Sequence, residues 1–181
     1  MICVIHAHPY PLRSRNIRTL LEVAQRLPNV HVRSIYQLYP DFDIDVPTEQ
    51  AALLEADQLV WLHPLYWYSV PAILKLWFEQ VLLAGWAYGS EGTALQGKPV
   101  LWATSTGGNE DSYGVTGSHT FTLEQLQAPI QQTALYCGMQ WQEPFVIHNA
   151  FQNQDADLAK AAQQFEQRLH ALAALSKGSA S

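Results

Sequence analysis

At 181 residues with 48% hydrophobic content, the chain carries enough apolar material for one well-buried core, and it falls in the size range of one domain. Lys and Arg total 10 against 16 Asp and Glu, so the net charge of −6 repels phosphate backbones and anionic lipid and argues against nucleic acid as a partner. Cys3 and Cys137 stand apart in apolar contexts, as free thiols of a reducing cytoplasm do, and no apolar run approaches the roughly 20 residues of a membrane span.

"ICVIHA" at 2–7 is a continuously apolar, β-branched run, the pattern of a central parallel strand buried on both faces. The start "MICVIHAHPYP" has no basic stretch and no cleavage-site pattern of a secretory signal. Residues 15–27 place Ile17, Leu20, Leu21, Ala24 and Leu27 at three- and four-residue intervals and predict a helix. "VHVRSIY" predicts a second strand, and "PTEQAALLEAD" a helix with Pro47 near its start, where a missing N–H costs nothing. "QLVWLH" is the third strand; residues 71–84 form the next helix, with Gly85 suited to end it. "PVLWATS" is strand four, 121–137 a helix, "EPFVIHN" strand five, and 157–174 a last helix with Leu158, Ala161, Ala162, Phe165, Leu169 and Leu172 on one face.

This alternation predicts an α/β fold of the flavodoxin-like class: a five-stranded parallel sheet of order 2-1-3-4-5 with helices on both faces. Residues 1–175 read as one domain and 176–181 as a frayed tail. Ligands of such sheets bind beyond the carboxyl ends of the strands where the order reverses, so the loops after strands one, three and four are the places to look.

The first loop, "HAHPYPLRSRNIR", lacks a G-x-G-x-x-G dinucleotide fingerprint. Ser14 and Asn16 stand at a helix N-terminus, where free N–H groups favour a phosphate, although Ser14 suits a plain cap equally well. His8, Arg13, Arg15 and Arg18 add positive charge there or line a solvated helix face. In the third loop, "PLYWYSVP", Trp67 and Tyr68 either frame a planar heterocycle or plug the top of the core. The helix behind it is apolar almost all the way round, which points to a subunit interface. The long fourth loop, "TSTGGNEDSYGVTGSH", brings Gly107 and Gly108 directly after a strand, with Tyr113 and His119 beyond as hydrogen-bond or proton donors. His6, His8, His63 and His148 also fall near strand ends, but H-x-H points its side chains to opposite faces and no Cys or carboxylate joins them, so no metal site is expected.

Taken together, "HAHPYP…S-x-N", "HPLYWYSVPAILKLWFEQV", "GWAYG…GTALQGK" and "TGGNEDSYG…H" resemble the flavin-dependent NAD(P)H:quinone oxidoreductase family from residue 1 to about 150. With "YQLYPDFDIDV", the resemblance narrows to the ancillary flavoprotein subunits of glutathione-gated potassium efflux systems. It implies a homodimer holding flavin at its interface, with NADH or NADPH as donor, a quinone as acceptor, and a membrane potassium/proton antiporter as partner on the cytoplasmic face. By position it implies that His8, Ser14, Arg15, Asn16 and Ile17 form the phosphate and ribityl loop. Leu65, Tyr66, Trp67 and Tyr68 would border the isoalloxazine ring, Ser105, Thr106, Gly107 and Gly108 would hold its pyrimidine edge, and Tyr113 and His119 would be the catalytic pair. Ser105 stands where family members often have Thr, which keeps the hydroxyl. The chain stops short of the C-terminal extension of the larger members, which favours FMN over FAD. Two rivals stand beside it: a regulatory binding subunit with secondary enzymatic activity, and a one-electron flavodoxin, whose strongly acidic surface and Ser/Thr-rich phosphate loop this chain does not clearly show.

Overall fold

The computed structural model describes residues 1–175; the tail expected to fray lies outside the described residues. Strands β1 (Ile2–His6), β3 (Gln58–Pro64) and β4 (Pro99–Ser105) are buried along their whole length, as their unbroken apolar runs require. β2 (Val30–Ser34) forms one edge, and the far edge is shared by two short strands, β5 (Gln140–Trp141) and β6 (Phe145–Ile147). The order is β2-β1-β3-β4-β5, all parallel, with β6 also pairing β4. The expected fifth strand, "EPFVIHN", is β6, and β5 ahead of it was not expected. Gln140–Trp141 pairs with the start of β4 and Phe145–Ile147 with its end, and Pro144, which has no N–H to give a ladder, lies between them.

Helix α1 (Arg15–Arg26) starts where predicted, with the Ser14 hydroxyl accepting from the Ile17 N–H at 3.2 Å. "VHVRSIY" stops being a strand at Ser34 and turns into the short α2 (Ile35–Leu38). α3 (Val46–Glu55) is capped by Asp45, whose carboxylate accepts from the Thr48 N–H, and Lys98 Nζ reaches its last carbonyls at Leu53, Leu54 and Ala56. α4 (Ala72–Val81), α5 (Leu123–Tyr136) and α6 (Asp155–Leu175) complete the set, with a Thr122–Gln125 capping box opening α5. Gly85 does adopt the left-handed conformation (φ +78°), four residues beyond the helix end.

α1 and α6 cover one face of the sheet; α3, α4 and α5 cover the other. α4 is less surplus than its composition suggested. Ile73, Leu74, Trp77, Phe78 and Val81 are absorbed into the core, while Lys75 and Glu79 pair at 2.5 Å on its solvent side. Among the described residues no helix is long and apolar enough to cross a membrane.

Candidate functional site

The sheet order reverses at β1, so the loops after β1 and β3 leave in opposite directions and open a crevice. Backbone hydrogen bonds stitch the neighbouring loops into one rim: Leu65 N–H to Ser105 O at 2.8 Å, Thr106 N–H to Ile147 O at 2.9 Å, Ala150 N–H to Thr106 O at 2.9 Å, and Asn149 N–H to Gly108 O at 3.1 Å. Under this rim lies a cavity of about 520 Å³. It is lined by His8, Ser14, Arg15, Asn16, Leu65, Tyr66, Ser105 and Gly107, all marked by the sequence, and by Tyr10, Arg13, Pro64, Ala150 and Phe151.

At one end the N-terminus of α1 leaves the Arg15 and Asn16 N–H groups without intrahelical partners, while Ser14 serves as the cap. The three arginines divide. Arg13 lies over the Tyr10 ring at 5.5 Å; Arg15 donates to Asn153 O at 2.9 Å and pairs with Asp155; Arg18 faces Glu22 at 3.7 Å on the solvated side of α1. His8 does not add the positive charge expected of it. Burial pushes its pKa down to about 4, and its Nδ1 accepts from the Tyr10 N–H at 2.9 Å, so the ring is neutral at pH 7 with its proton on Nε2. Asn16 is buried and ties the loop after β6 to the helix, donating to Ala150 O at 2.7 Å and accepting from Asn153 Nδ2 at 2.8 Å. Ile17 is fully buried, with its N–H committed to Ser14.

At the other end, Tyr66 and Ser69 exchange backbone hydrogen bonds of 3.1 and 3.0 Å around Trp67 and Tyr68, both at positive φ (+46° and +63°). This is the signature of a type I′ turn, which normally demands Asn-Gly; two bulky rings here store roughly 1–3 kcal/mol of strain each. The rings do not plug the core: Trp67 is 93% exposed and Tyr68 half exposed. Thr106 is fully buried and its hydroxyl is shared between Gly108 O and His148 Nδ1, each at 2.9 Å. Among the described residues the Gly107 and Gly108 N–H groups meet no protein acceptor. A Cβ on Gly108 would lie 3.2 Å from His119 Nε2.

Tyr113 and His119 come together, stacked at 4.5 Å and 19°. Tyr68 joins them, its hydroxyl 3.3 Å from His119 Nδ1. Tyr68 and His119 also line a second pocket of about 380 Å³ with Ser118, Thr120, Phe121 and Leu126. The other strand-end histidines, His6 and His63, are engaged separately. His6 Nδ1 meets the Ser34 hydroxyl at 3.0 Å, while His63 donates from Nδ1 to Pro64 O at 2.9 Å and accepts the Trp102 indole N–H at 2.7 Å.

The chain belongs to the Flavodoxin-like fold family, which matches residues 1–169. Within it, the chain is 51% identical over 169 residues to the glutathione-regulated potassium-efflux system ancillary protein KefF of Klebsiella pneumoniae (strain 342), covering 93% of this chain and 94% of that protein. Among solved structures, the general stress protein 14 of Treponema denticola in complex with FMN superposes with a TM-score of 0.89 at 31% identity, over 94% of this chain and 98% of that one. A protein of P.pentosaceus described as an NADPH-quinone reductase gives 0.84 at 27% identity, over 93% and 96%. A structure described as a thermophilic tryptophan halogenase from Streptomycin violaceusniger gives 0.89 at 38% identity, over 92% and 97%.

Proposed function

We propose that this protein is an FMN-dependent NAD(P)H:quinone oxidoreductase that works as the cytoplasmic ancillary subunit of a potassium efflux antiporter, as a homodimer. The names of its structural neighbours differ in activity, so the fold alone does not choose among them. The observation that carries the reading is one cavity bounded by a helix N-terminus at one end and, at the other, by Leu65–Tyr66 and Gly107, whose N–H meets no acceptor among the described residues.

The residues fit FMN. A phosphate is favoured at the α1 N-terminus beside Ser14 and Arg13, a planar ring between the Leu65–Tyr66 segment and Ser105, and a carbonyl-rich edge at the Gly107 and Gly108 N–H groups. When bound, FMN supplies two-electron hydride transfer from NAD(P)H to a quinone. The chain orients the rings and holds the protons. With Tyr68 donating to His119 Nδ1, the imidazole proton sits on Nε2, on the Gly108 side. His119 and the Tyr113 phenol then offer donors to charge developing on the emerging hydroquinone. The pocket of Tyr68, His119, Phe121 and Leu126 is apolar enough to seat that acceptor.

The first experiment is the visible spectrum of the purified protein, identification of the released flavin, and NAD(P)H oxidation with and without a soluble quinone. A yellow protein releasing FMN, with quinone-dependent turnover, is expected; a colourless protein that takes up no FMN overturns the reading. The relationship to KefF raises a second reading, in which flavin-dependent binding to the antiporter is the function and turnover is secondary. Reconstitution with the antiporter separates the two: a Tyr113→Phe, His119→Gln variant that still gates potassium efflux places regulation in binding, and one that does not places it in catalysis.

A further inference from the structure

The loop after β6 was not among those the strand pattern singled out, yet it forms one side of the cavity. Its backbone is fixed at both ends: Ala150 N–H to Thr106 O and Asn149 N–H to Gly108 O on the diglycine side, Asn16 Nδ2 to Ala150 O and Asn153 Nδ2 to His148 O on the α1 side. Asn149 makes the bend at φ +59°, a conformation Asn tolerates better than most residues. On this fixed platform stands Phe151. Its ring edge occupies the space a side chain at residue 107 would need, since a Cβ on Gly107 would lie 2.9 Å from Phe151 Cε2. Otherwise the ring is free, 91% exposed beside Ala150 and Gly107 at the cavity wall.

A single exposed ring is ordinary on a protein surface; what marks Phe151 is that it stands at the cavity wall on a backbone held from both sides. The geometry points to Phe151 as an aromatic wall of the cofactor cavity on its Gly107 side, a binding residue that would contact the planar ring system of a bound flavin. The inference rests on the flavin reading of this cavity. It also gives Gly107 a second reason to lack a side chain, because even Ala at that position displaces the Phe151 ring.

The test is titration of FMN into flavin-free protein, following the quenching of flavin fluorescence. Phe151→Ala is expected to raise the FMN Kd about tenfold and to weaken the quenching at saturation. Phe151→Tyr, which keeps the ring, is expected to stay within about twofold on both counts. The flavin-free Phe151→Ala protein should melt with the wild type, because so exposed a ring contributes little to the fold. A Phe151→Ala Kd within twofold of wild type, or tighter, overturns the role of Phe151 while leaving the cavity assignment standing. A wild type that takes up no FMN removes the flavin reading itself.

Discussion

On one face of the sheet, Arg33, Tyr39, Glu49 and Trp77 form a closed network. At the carboxyl ends of the strands, Tyr68, Tyr113 and His119 form an open one. Glu49 is fully buried; one oxygen accepts from Arg33 Nε at 2.8 Å, Arg33 Nη2 at 2.5 Å and the Tyr39 hydroxyl at 2.5 Å, and the other from the Trp77 indole N–H at 2.9 Å. Each Glu49 oxygen has a partner, and the group ties β2, α3 and α4 together. Among the described residues the side chains of the second cluster share one 3.3 Å hydrogen bond and a stacked pair of rings, with Tyr68 and His119 facing a pocket. Polar groups that serve the fold are saturated by the fold, whereas those left half-satisfied at a cavity mouth are available to a ligand.

The sharpest way to break this comparison is to remove the centre of the closed network. Glu49→Ala leaves the Arg33 guanidinium buried without its counter-charge and should cost about 3–5 kcal/mol, read from urea unfolding. Tyr68→Phe, which removes the hydroxyl from the open cluster, should cost less than about 0.5 kcal/mol by the same assay. Comparable losses from the two would show that the clusters do not divide into scaffold and site.

The converse experiment reads activity. Tyr113→Phe combined with His119→Gln should lower kcat/KM for a soluble quinone by about 100-fold while leaving the urea midpoint in place, since neither residue is part of the core. An unchanged kcat/KM would take the proton-holding role away from this pair and leave only its packing.

These two clusters were not equally legible in the sequence. The open one announced itself through its position: a long loop directly after an apolar strand, with a diglycine, a phenol and an imidazole. The same rule found most of the cavity's residues. It missed Ala150 and Phe151 because the reading stopped at the loops after strands one, three and four, although a fifth strand must also deliver its loop to that end of the sheet. The short β5 ahead of Pro144 was not legible, because two residues, Gln140 and Trp141, carry no strand pattern. The closed network was not legible. Nothing in "VHVRSIY" marks Arg33 as inward-facing on an edge strand, and Glu49 sits in the first turn of a helix where a carboxylate usually serves the helix dipole in solvent. Only tertiary packing brings them to one carboxylate-guanidinium pair.

Acid titration tests the buried histidines. Burial lowers the pKa of His6, His8 and His63 from the ordinary 6.5 to about 4, so between those values the unfolded chain binds more protons than the folded one. Their contribution is therefore complete above about pH 6.5 and is lost as pH falls toward 4, at about 1.4 kcal/mol per pH unit for each group. His63→Gln keeps an acceptor for the Trp102 indole N–H and removes one titrating group. Urea unfolding at pH 5, 6 and 7 should show a pH dependence shallower by up to about one proton; an unchanged slope would mean that His63 binds protons equally in the folded and unfolded states.

One expected effect has the opposite sign. The turn from Tyr66 to Ser69 holds Trp67 and Tyr68 at φ +46° and +63°, where Asn-Gly would sit without steric conflict. Replacing Trp67 with Asn and Tyr68 with Gly together should stabilise the chain by about 1 kcal/mol, the relieved strain being partly offset by the added freedom of Gly in the unfolded state. Quinone turnover should fall in the same variant, because His119 loses the hydroxyl that fixes its tautomer and the pocket loses a wall. A stabilised but inactive protein would locate the strain as a cost of presenting rings at the cavity mouth. A destabilised one would mean that the rings hold the rim together, which would move this turn from the open cluster to the closed one.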